Sequence, residues 1–164
     1  MDWQIPLLVS AIAFALFLVF KMRPPMTADG RETAQALREA KGRIESAKDD
    51  AARARALCDA ADACARLGRV NGAVGFYLRA MRADPRSKEI VERAAGSLAR
   101  RPRAVEKLMW RHLAAEPWTG DGRDSALAAL RALAAVYGRR PNQPRARALE
   151  HAVAALDAAP SRSS

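Results

Sequence analysis

One pattern of small and apolar residues occurs twice in this chain, 34 residues apart. Each copy has four positions with the same spacing, namely Leu57, Ala60, Ala61 and Cys64 in the first and Val91, Ala94, Ala95 and Leu98 in the second. Residues three, four and seven apart lie on one side of an α-helix and pack against a partner helix. A repeat of this length therefore predicts helical hairpins that stack on one another.

Residues 54–87, around the first copy, resemble one tetratricopeptide repeat, a helix-turn-helix unit with a period of 34 residues. The residues that match the family pattern are Leu57, Ala60, Ala61, Cys64, Gly68, Ala73, Tyr77, Ala80 and Pro85. The resemblance implies a protein that holds other proteins rather than one that transforms a substrate. The family's peptide-binding carboxylate clamp is not carried over, because Cys58 and Asp62 stand where its Lys and Asn are expected.

Two further hairpins are expected after the first. The second repeat, at residues 88–119, keeps the period in its first helix, but its second helix is displaced by 32 residues, which shortens the turn at 99–103. His112 then falls where the family has a small residue, and it is interpreted as a hydrogen-bonded interface histidine, with a ligand or catalytic role as the less favoured alternative. The third repeat, at residues 124–160, is degenerate. The remaining apolar positions of these two repeats are Val105, Met109, Leu113, Leu130, Leu133, Tyr137, Leu149, Ala152, Val153 and Leu156.

Alanine dominates the apolar residues, and no run of alternating β-branched residues is present. Alanine favours helix, so the predicted fold class is all-α, with a helical domain at residues 50–160. Helix ends are expected at Gly68 and helix starts at Asp49 or Asp50, Asn71 and Ser87. Along the first helix, Arg55 with Asp59 and Asp62 with Arg66 have the spacing of surface ion pairs.

A segment without charge, residues 5–20, comes near the start of the chain. Its apolar flanks extend it to residues 3–22, about the 20 residues that span a bilayer, so residues 1–23 are predicted to be a single transmembrane anchor. Lys21 and Arg23 follow the segment, and the positive-inside rule then places the amino terminus outside and the rest in the cytoplasm. Ala11 and Ala15 would let two anchors dimerise, although alanine is so common here that chance explains the pair better.

Residues 24–49 are predicted to be a linker and a polar helix. Two prolines, Pro24 and Pro25, end the membrane helix, and a helix is expected over residues 31–48. Its narrow apolar stripe includes Leu37, Ala40 and Ile44, which suits packing on the first repeat. The alternative is a solvated spacer helix. The tail, residues 161–164, is predicted to be disordered.

The chain carries a formal charge of +10, with 28 Lys and Arg against 18 Asp and Glu. In a stack of hairpins the turns within each hairpin lie along one edge, and here those turns carry arginines. We define the basic rim as Arg66, Arg69, Arg100, Arg101, Arg103, Arg139, Arg140 and Arg145. It suits an acidic protein segment or anionic lipid, with a merely solvated edge as the alternative. Nucleic acid is disfavoured, because the few aromatic residues are not interleaved with the arginines.

Chemistry-bearing motifs are scarce in this sequence. Cys58 and Cys64 are spaced to point to different sides of one helix and are expected to be free thiols without a metal. No phosphate-binding loop or nucleophile with a base partner is evident, so an enzyme is the least favoured class and no catalytic, metal or cofactor site is expected. The layout is similar to that of bacterial membrane-anchored repeat scaffolds. It predicts an inner-membrane adaptor facing the cytoplasm, which binds an unidentified protein. The alternatives are a periplasm-facing repeat protein of secretion or cytochrome maturation, or a basic domain that binds anionic lipid or nucleic acid.

Overall fold

A computed structural model describes residues 10–12, 14, 17, 28–115, 118–139 and 144–158 of the chain. These residues contain helices and no strand, which confirms the all-α prediction for them. The chain divides into two compact units, Met1–Glu32 and Thr33–Ser164. From residue 28 onwards the described helices are α1 (Ala28–Ser46), α2 (Asp50–Arg66), α3 (Val70–Ala83), α4 (Lys88–Ser97), α5 (Pro102–Ala115), α6 (Arg123–Gly138) and α7 (Pro144–Ala158), with a 3-10 turn at Gly120–Gly122 before α6.

In the first unit, residues 10–12, 14 and 17 are helical, and the side chains of Ile12, Phe14 and Phe17 are exposed. Within the described part of the chain, no helix combines the length and the hydropathy that a membrane crossing requires. Most of the predicted anchor, residues 3–22, lies outside the described residues, as do Ala15 and the predicted disordered tail.

Local signals in the sequence set most of the helix ends. The Asp49 carboxylate accepts a hydrogen bond from the Ala52 N–H at the start of α2, and Ser87 Oγ accepts one of 3.4 Å from the Ile90 N–H at the start of α4, as expected. Gly68 has a φ of 72°, a conformation that favours glycine. It lets the Arg69 N–H reach the Cys64 carbonyl at 2.8 Å and close α2.

One predicted helix start is wrong. Asn71 lies inside α3, which begins at Val70, and Arg69 at the capping position makes no side-chain cap. The turn closed by Gly68 is so short that α3 begins before Asn71 is reached. The reason is geometric, because the glycine reverses the chain within two residues.

The helices form two rows. Helices α2, α4 and α6 pack side by side in one row, and α3 and α5 pack on each other in the second, with α7 against α6. The residues that match the repeat pattern are mostly buried where the helices pack on one another. The buried signature residues are Leu57, Ala60, Ala61, Cys64, Ala73, Tyr77 and Ala80, while Pro85 is half-buried and Gly68 is exposed. The small residues that recur along the sequence are thus the ones that allow helices to approach closely.

Helix α1 packs on the first hairpin rather than standing in solvent. Leu37 and Ala40 belong to the buried core, and Ile44 is half-buried against it. The guanidinium of Arg43 on α1 also pairs with the carboxylate of Asp59 on α2 at 3.1 Å. The helix was interpreted either as packing on the first repeat or as a solvated spacer, and in the structure it packs on the first repeat.

Candidate partner-binding surface

Seven of the eight basic-rim arginines lie among the described residues, and all seven are exposed. Arg66 ends α2 and Arg69 precedes α3, while Arg100 and Arg101 form the turn between α4 and α5. The other three described members are Arg103 in the first turn of α5, Arg139 directly after α6 and Arg145 in the first turn of α7. Arg140 lies outside the described residues.

The structure brings three members of the basic rim around one cavity. Arg66, Arg100 and Arg101 line a depression of about 910 Å³ between the carboxyl-terminal ends of α2 and α4. The third turn lies next to the second, because Arg139 Nη1 donates a 2.9 Å hydrogen bond to the carbonyl of Ala99. Residues of the first two turns thus share one cavity, and the third turn contacts the second.

Arg145 belongs to a different surface. Its guanidinium lies over the ring of Tyr137, 5.9 Å from the ring centre, in a cation–π contact. Arg69 and Arg103 are exposed but do not line the cavity. The arginines of the basic rim thus have different environments. Arg66, Arg100 and Arg101 line the cavity, Arg139 contacts the neighbouring turn, and Arg145 contacts an aromatic ring.

An ion network that joins three helices contributes two residues, Asp62 and Arg93, to the lining of the cavity. Arg93 Nε donates to Asp62 Oδ2 and Arg93 Nη2 donates to Asp59 Oδ1, each at 2.7 Å, so α4 is tied to α2. The hydroxyl of Tyr77 on α3 donates to Asp62 as well. Asp62 and Arg93 line the cavity, and their charges neutralise each other there.

The network shifts the acid–base properties of its members. Burial opposes ionisation of Asp62, but hydrogen bonds from Tyr77, Ser97 and Arg93 outweigh it and hold the pKa of the Asp62 carboxyl below its usual value. Burial first, and then the hydrogen bond to Asp62, raises the pKa of the Tyr77 hydroxyl. Asp62 is therefore a carboxylate and Tyr77 a neutral donor at neutral pH.

This network corrects the ion pairs expected from the sequence. Asp59 and Asp62 pair across helices with Arg93, and Asp59 also with Arg43, rather than along α2 with Arg55 and Arg66. Facing helices bring a guanidinium to the partly buried side of α2, where a charge-assisted bond is stronger than at an exposed site. Asp59 and Arg93 are 34 residues apart, which is the length of one repeat. The repeat period could therefore have predicted this pair.

Charge is balanced unevenly over the surface. The ion pairs among the described residues use Arg43, Arg86, Arg93 and Arg131. None of the seven described rim arginines pairs with a described carboxylate. The cavity is therefore lined by three arginines without a described carboxylate partner beside the Asp62–Arg93 pair, an arrangement suited to an anionic group.

A second polar contact, in which His112 has a partner that the sequence did not predict, lies at the junction of α5 and α6. His112 Nε2 is 3.2 Å from Ser125 Oγ, and both side chains are buried. Ser125 Oγ in turn donates to the carbonyl of Pro85 at 3.0 Å, and the carbonyl of Gly122 lies 3.1 Å from the same hydroxyl. Since the one hydroxyl proton points to a carbonyl, His112 acts as the donor to Ser125 and the hydroxyl is not activated as a nucleophile. The interface role expected for His112 matches this geometry.

Both cysteines are buried free thiols. Burial raises the pKa of the Cys58 thiol to about 11 and that of Cys64 in the same direction, so both are protonated at neutral pH. In the described ranges, no group of three His, Cys, Asp or Glu side chains is placed to hold a metal ion.

Against known proteins, no family model, no curated protein and no solved structure matches this chain.

Proposed function

We propose that this protein is a membrane-anchored adaptor of the tetratricopeptide-like type, which binds an acidic segment of a partner protein in the cavity at its basic rim. Residues 3–22 serve as the anchor and the helical unit as the binding module. The charge-free segment at residues 5–20 supports the anchor, and the 34-residue period supports the family resemblance.

One observation carries the binding role. Arg66, Arg100 and Arg101 surround a cavity of about 910 Å³ without a described carboxylate partner, although other arginines of the same unit are paired. Guanidinium groups bind carboxylates through two parallel hydrogen bonds, and several around one cavity favour a segment with more than one acidic side chain.

A concave site favours a protein segment over the other acidic partners. A lipid surface is flat and attracts basic residues one by one over an exposed face, whereas the three arginines face a depression. Single-stranded nucleic acid requires aromatic stacking platforms beside the positive charges, and the described residues that line the cavity include no aromatic side chain. Lipid and nucleic acid are therefore outcomes of the test and not the proposal.

The topology follows from Lys21 and Arg23, which favour a cytoplasmic location for the helical unit at a bacterial inner membrane. Reporter fusions at Ser164 test it. A cytoplasmic fluorescent fusion should be bright and an alkaline phosphatase fusion inactive. The reverse pair of results would place the unit in the periplasm and would reject the cytoplasmic adaptor.

The binding role is tested by charge reversal of the cavity wall in the full-length protein. The variant Arg66→Glu/Arg100→Glu/Arg101→Glu should lose the partners that crosslink to the wild type in membranes. A matched control carries the same charge change at exposed positions away from the cavity, Arg38→Glu/Arg55→Glu/Arg147→Glu, and should retain them.

Two results would reject the proposal. One is equal loss of partners in both variants, which indicates attraction by net charge alone. The other is an unchanged set of protein partners in the cavity variant, together with reduced binding to vesicles of anionic lipid or to a labelled oligonucleotide.

A further inference from the structure

A second cavity, of about 390 Å³, lies between α5 and α7 and is distinct from the cavity at Arg66, Arg100 and Arg101. Its lining comes from α5, from the end of α6 and from α7, namely Glu106, Trp110, Tyr137, Arg145, Ala148 and Leu149. Pockets of a few hundred Å³ are large enough for one bulky side chain or a small ligand. We call this feature the aromatic groove.

The walls of the aromatic groove are apolar and partly open to solvent. Trp110 is 43% exposed, and Trp110 and Trp118 are the large apolar side chains left exposed in the described residues from 28 onwards. Trp118 is already engaged, because its indole N–H donates to the Leu113 carbonyl at 2.8 Å. Trp110 lines the groove, and its indole N–H makes one long hydrogen bond of 3.4 Å to the Tyr137 hydroxyl.

The charges in the aromatic groove are not equivalent. The Tyr137 hydroxyl donates to the carboxylate of Glu106, so this acid has a partner within the groove. The Arg145 guanidinium contacts the Tyr137 ring face but has no carboxylate partner among the described residues. The edge of the groove thus offers a positive charge to an incoming group.

Basic residues on α5 extend this positive edge. Arg103 is three residues before Glu106 and seven before Trp110, which places it on the same side of the helix, and Lys107 lies on the adjacent side. Both are exposed. Arg103 and Arg145 are also members of the basic rim, although neither lines the cavity formed by Arg66, Arg100 and Arg101.

We propose that the aromatic groove docks an aromatic or large aliphatic side chain of an acidic peptide segment. The apolar side chain packs on Trp110, Tyr137 and Leu149, and flanking carboxylates of the same segment bind Arg145 and Arg103. This inference rests on the proposed function for its class of partner, but it uses different residues. Buried aromatic anchors beside arginines are the positions at which peptide interfaces concentrate their binding energy.

The test uses the full-length protein in neutral detergent and a short fluorescein-labelled peptide, in which one phenylalanine is flanked by glutamates. A second peptide has alanine in place of the phenylalanine. Fluorescence anisotropy should show that the wild type binds the phenylalanine peptide at least about 10-fold more tightly than the alanine peptide. In Trp110→Ala that preference should fall below about 2-fold, because the wall that contacts the ring is gone.

Charge variants on α7 test the contribution of Arg145. Arg145→Glu should weaken binding of the phenylalanine peptide by about 10-fold or more. The matched control Arg147→Glu makes the same charge change two residues away on an exposed side chain and should change binding by less than about 2-fold. A second control, Trp118→Phe, should retain the full preference for phenylalanine. Thermal melts show whether each variant is folded, and Trp110→Leu replaces Trp110→Ala if that variant is not.

The outcomes separate this inference from the proposed function. No binding of the phenylalanine peptide by the wild type, or an unchanged preference in Trp110→Ala, overturns the aromatic groove. If the preference disappears instead in Arg66→Glu/Arg100→Glu/Arg101→Glu, the peptide lies at the rim cavity, so the proposed function stands and this inference falls. If it disappears only in Trp110→Ala and the rim variant retains its partners, the inference stands and the proposed function falls.

Discussion

The first hairpin, α2 with α3, and the third hairpin, α6 with α7, are both helical hairpins, but they differ in how much of each helix is buried. Helix α2 buries eight residues between its neighbours, whereas α7 buries only Ala146 and Leu149. Helix α2 packs between α3 and α4 and carries α1, while α7 packs on α6 at the end of the described stack. A unit inside a stack is covered by neighbours, so alanine and cysteine suffice for its core.

The polar contacts of the two hairpins also differ in burial, and those of the first hairpin are the more buried ones. In the first, Asp62 lies in a partly buried network with Tyr77 and Arg93. In the third, Arg123 donates from its Nε to the Leu156 carbonyl at 3.1 Å and so holds the carboxyl-terminal end of α7, while the Arg131–Asp157 pair is exposed. Since partly buried charge-assisted bonds contribute more than exposed pairs, the first hairpin is expected to be the more stable one.

The largest expected effect comes from truncating one buried side chain in the second helix of each hairpin, Tyr77 in α3 and Leu149 in α7. Tyr77→Ala should lower the free energy of unfolding by about 3–5 kcal/mol, because Tyr77 is fully buried and its hydroxyl is one of the donors to Asp62. Leu149→Ala in α7 should cost about 2 kcal/mol, at the lower end for such a change, because solvent fills part of the space. Denaturant unfolding of the full chain in detergent measures both. A smaller loss for Tyr77→Ala than for Leu149→Ala would reverse the comparison.

A change of pH should affect the first hairpin more than the third. The folded-state pKa of Asp62 lies below that of the unfolded chain, so its stabilisation is present above about pH 4 and is lost as the pH falls towards the folded-state pKa. Asp62→Asn should therefore cost about 2 kcal/mol at neutral pH, and the difference from the wild type should shrink below about pH 4. The matched change Asp157→Asn, at an exposed pair, should cost less than about 1 kcal/mol. Equal losses from Asp62→Asn at all pH values would contradict the role of its ionisation.

The smallest expected effect on stability comes from replacing a glycine with alanine at the end of the first helix of each hairpin, Gly68 after α2 and Gly138 at the end of α6. Gly68→Ala should destabilise the protein by about 1 kcal/mol, because alanine is strained at a φ of 72°. Gly138 at the end of α6 has open space around the position of a side chain and no positive φ, so Gly138→Ala should be neutral or stabilise by up to about 0.5 kcal/mol. Thermal melts of the two variants compare them directly, and a similar shift in both would show that the turn conformation is not what distinguishes them.

Much of the helical unit was open to prediction from the sequence. The starts of α2 and α4 and the end of α2 lie within a few residues of their expected places, and α6 and α7 together cover the expected third repeat at residues 124–160 to within two residues at each end. Of the candidate surface, the exposed turns and their arginines were also foreseen. The grouping of Arg66 with Arg100 and Arg101, apart from Arg145, was not predicted, because it depends on contacts between residues of different hairpins.

The partners of the charged and polar residues required the tertiary structure. Sequence spacing favoured Asp62 with Arg66 along one helix, whereas folding places Arg93 of another helix beside Asp62 and Asp59. His112 and Ser125 likewise meet only because α5 and α6 pack together. By itself, the sequence determined where most of the helices begin and end and which of their faces are apolar, since capping and helical periodicity act within a few residues. The tertiary structure alone decided which charges neutralise one another and which remain for a partner, since that depends on contacts between residues distant in the chain.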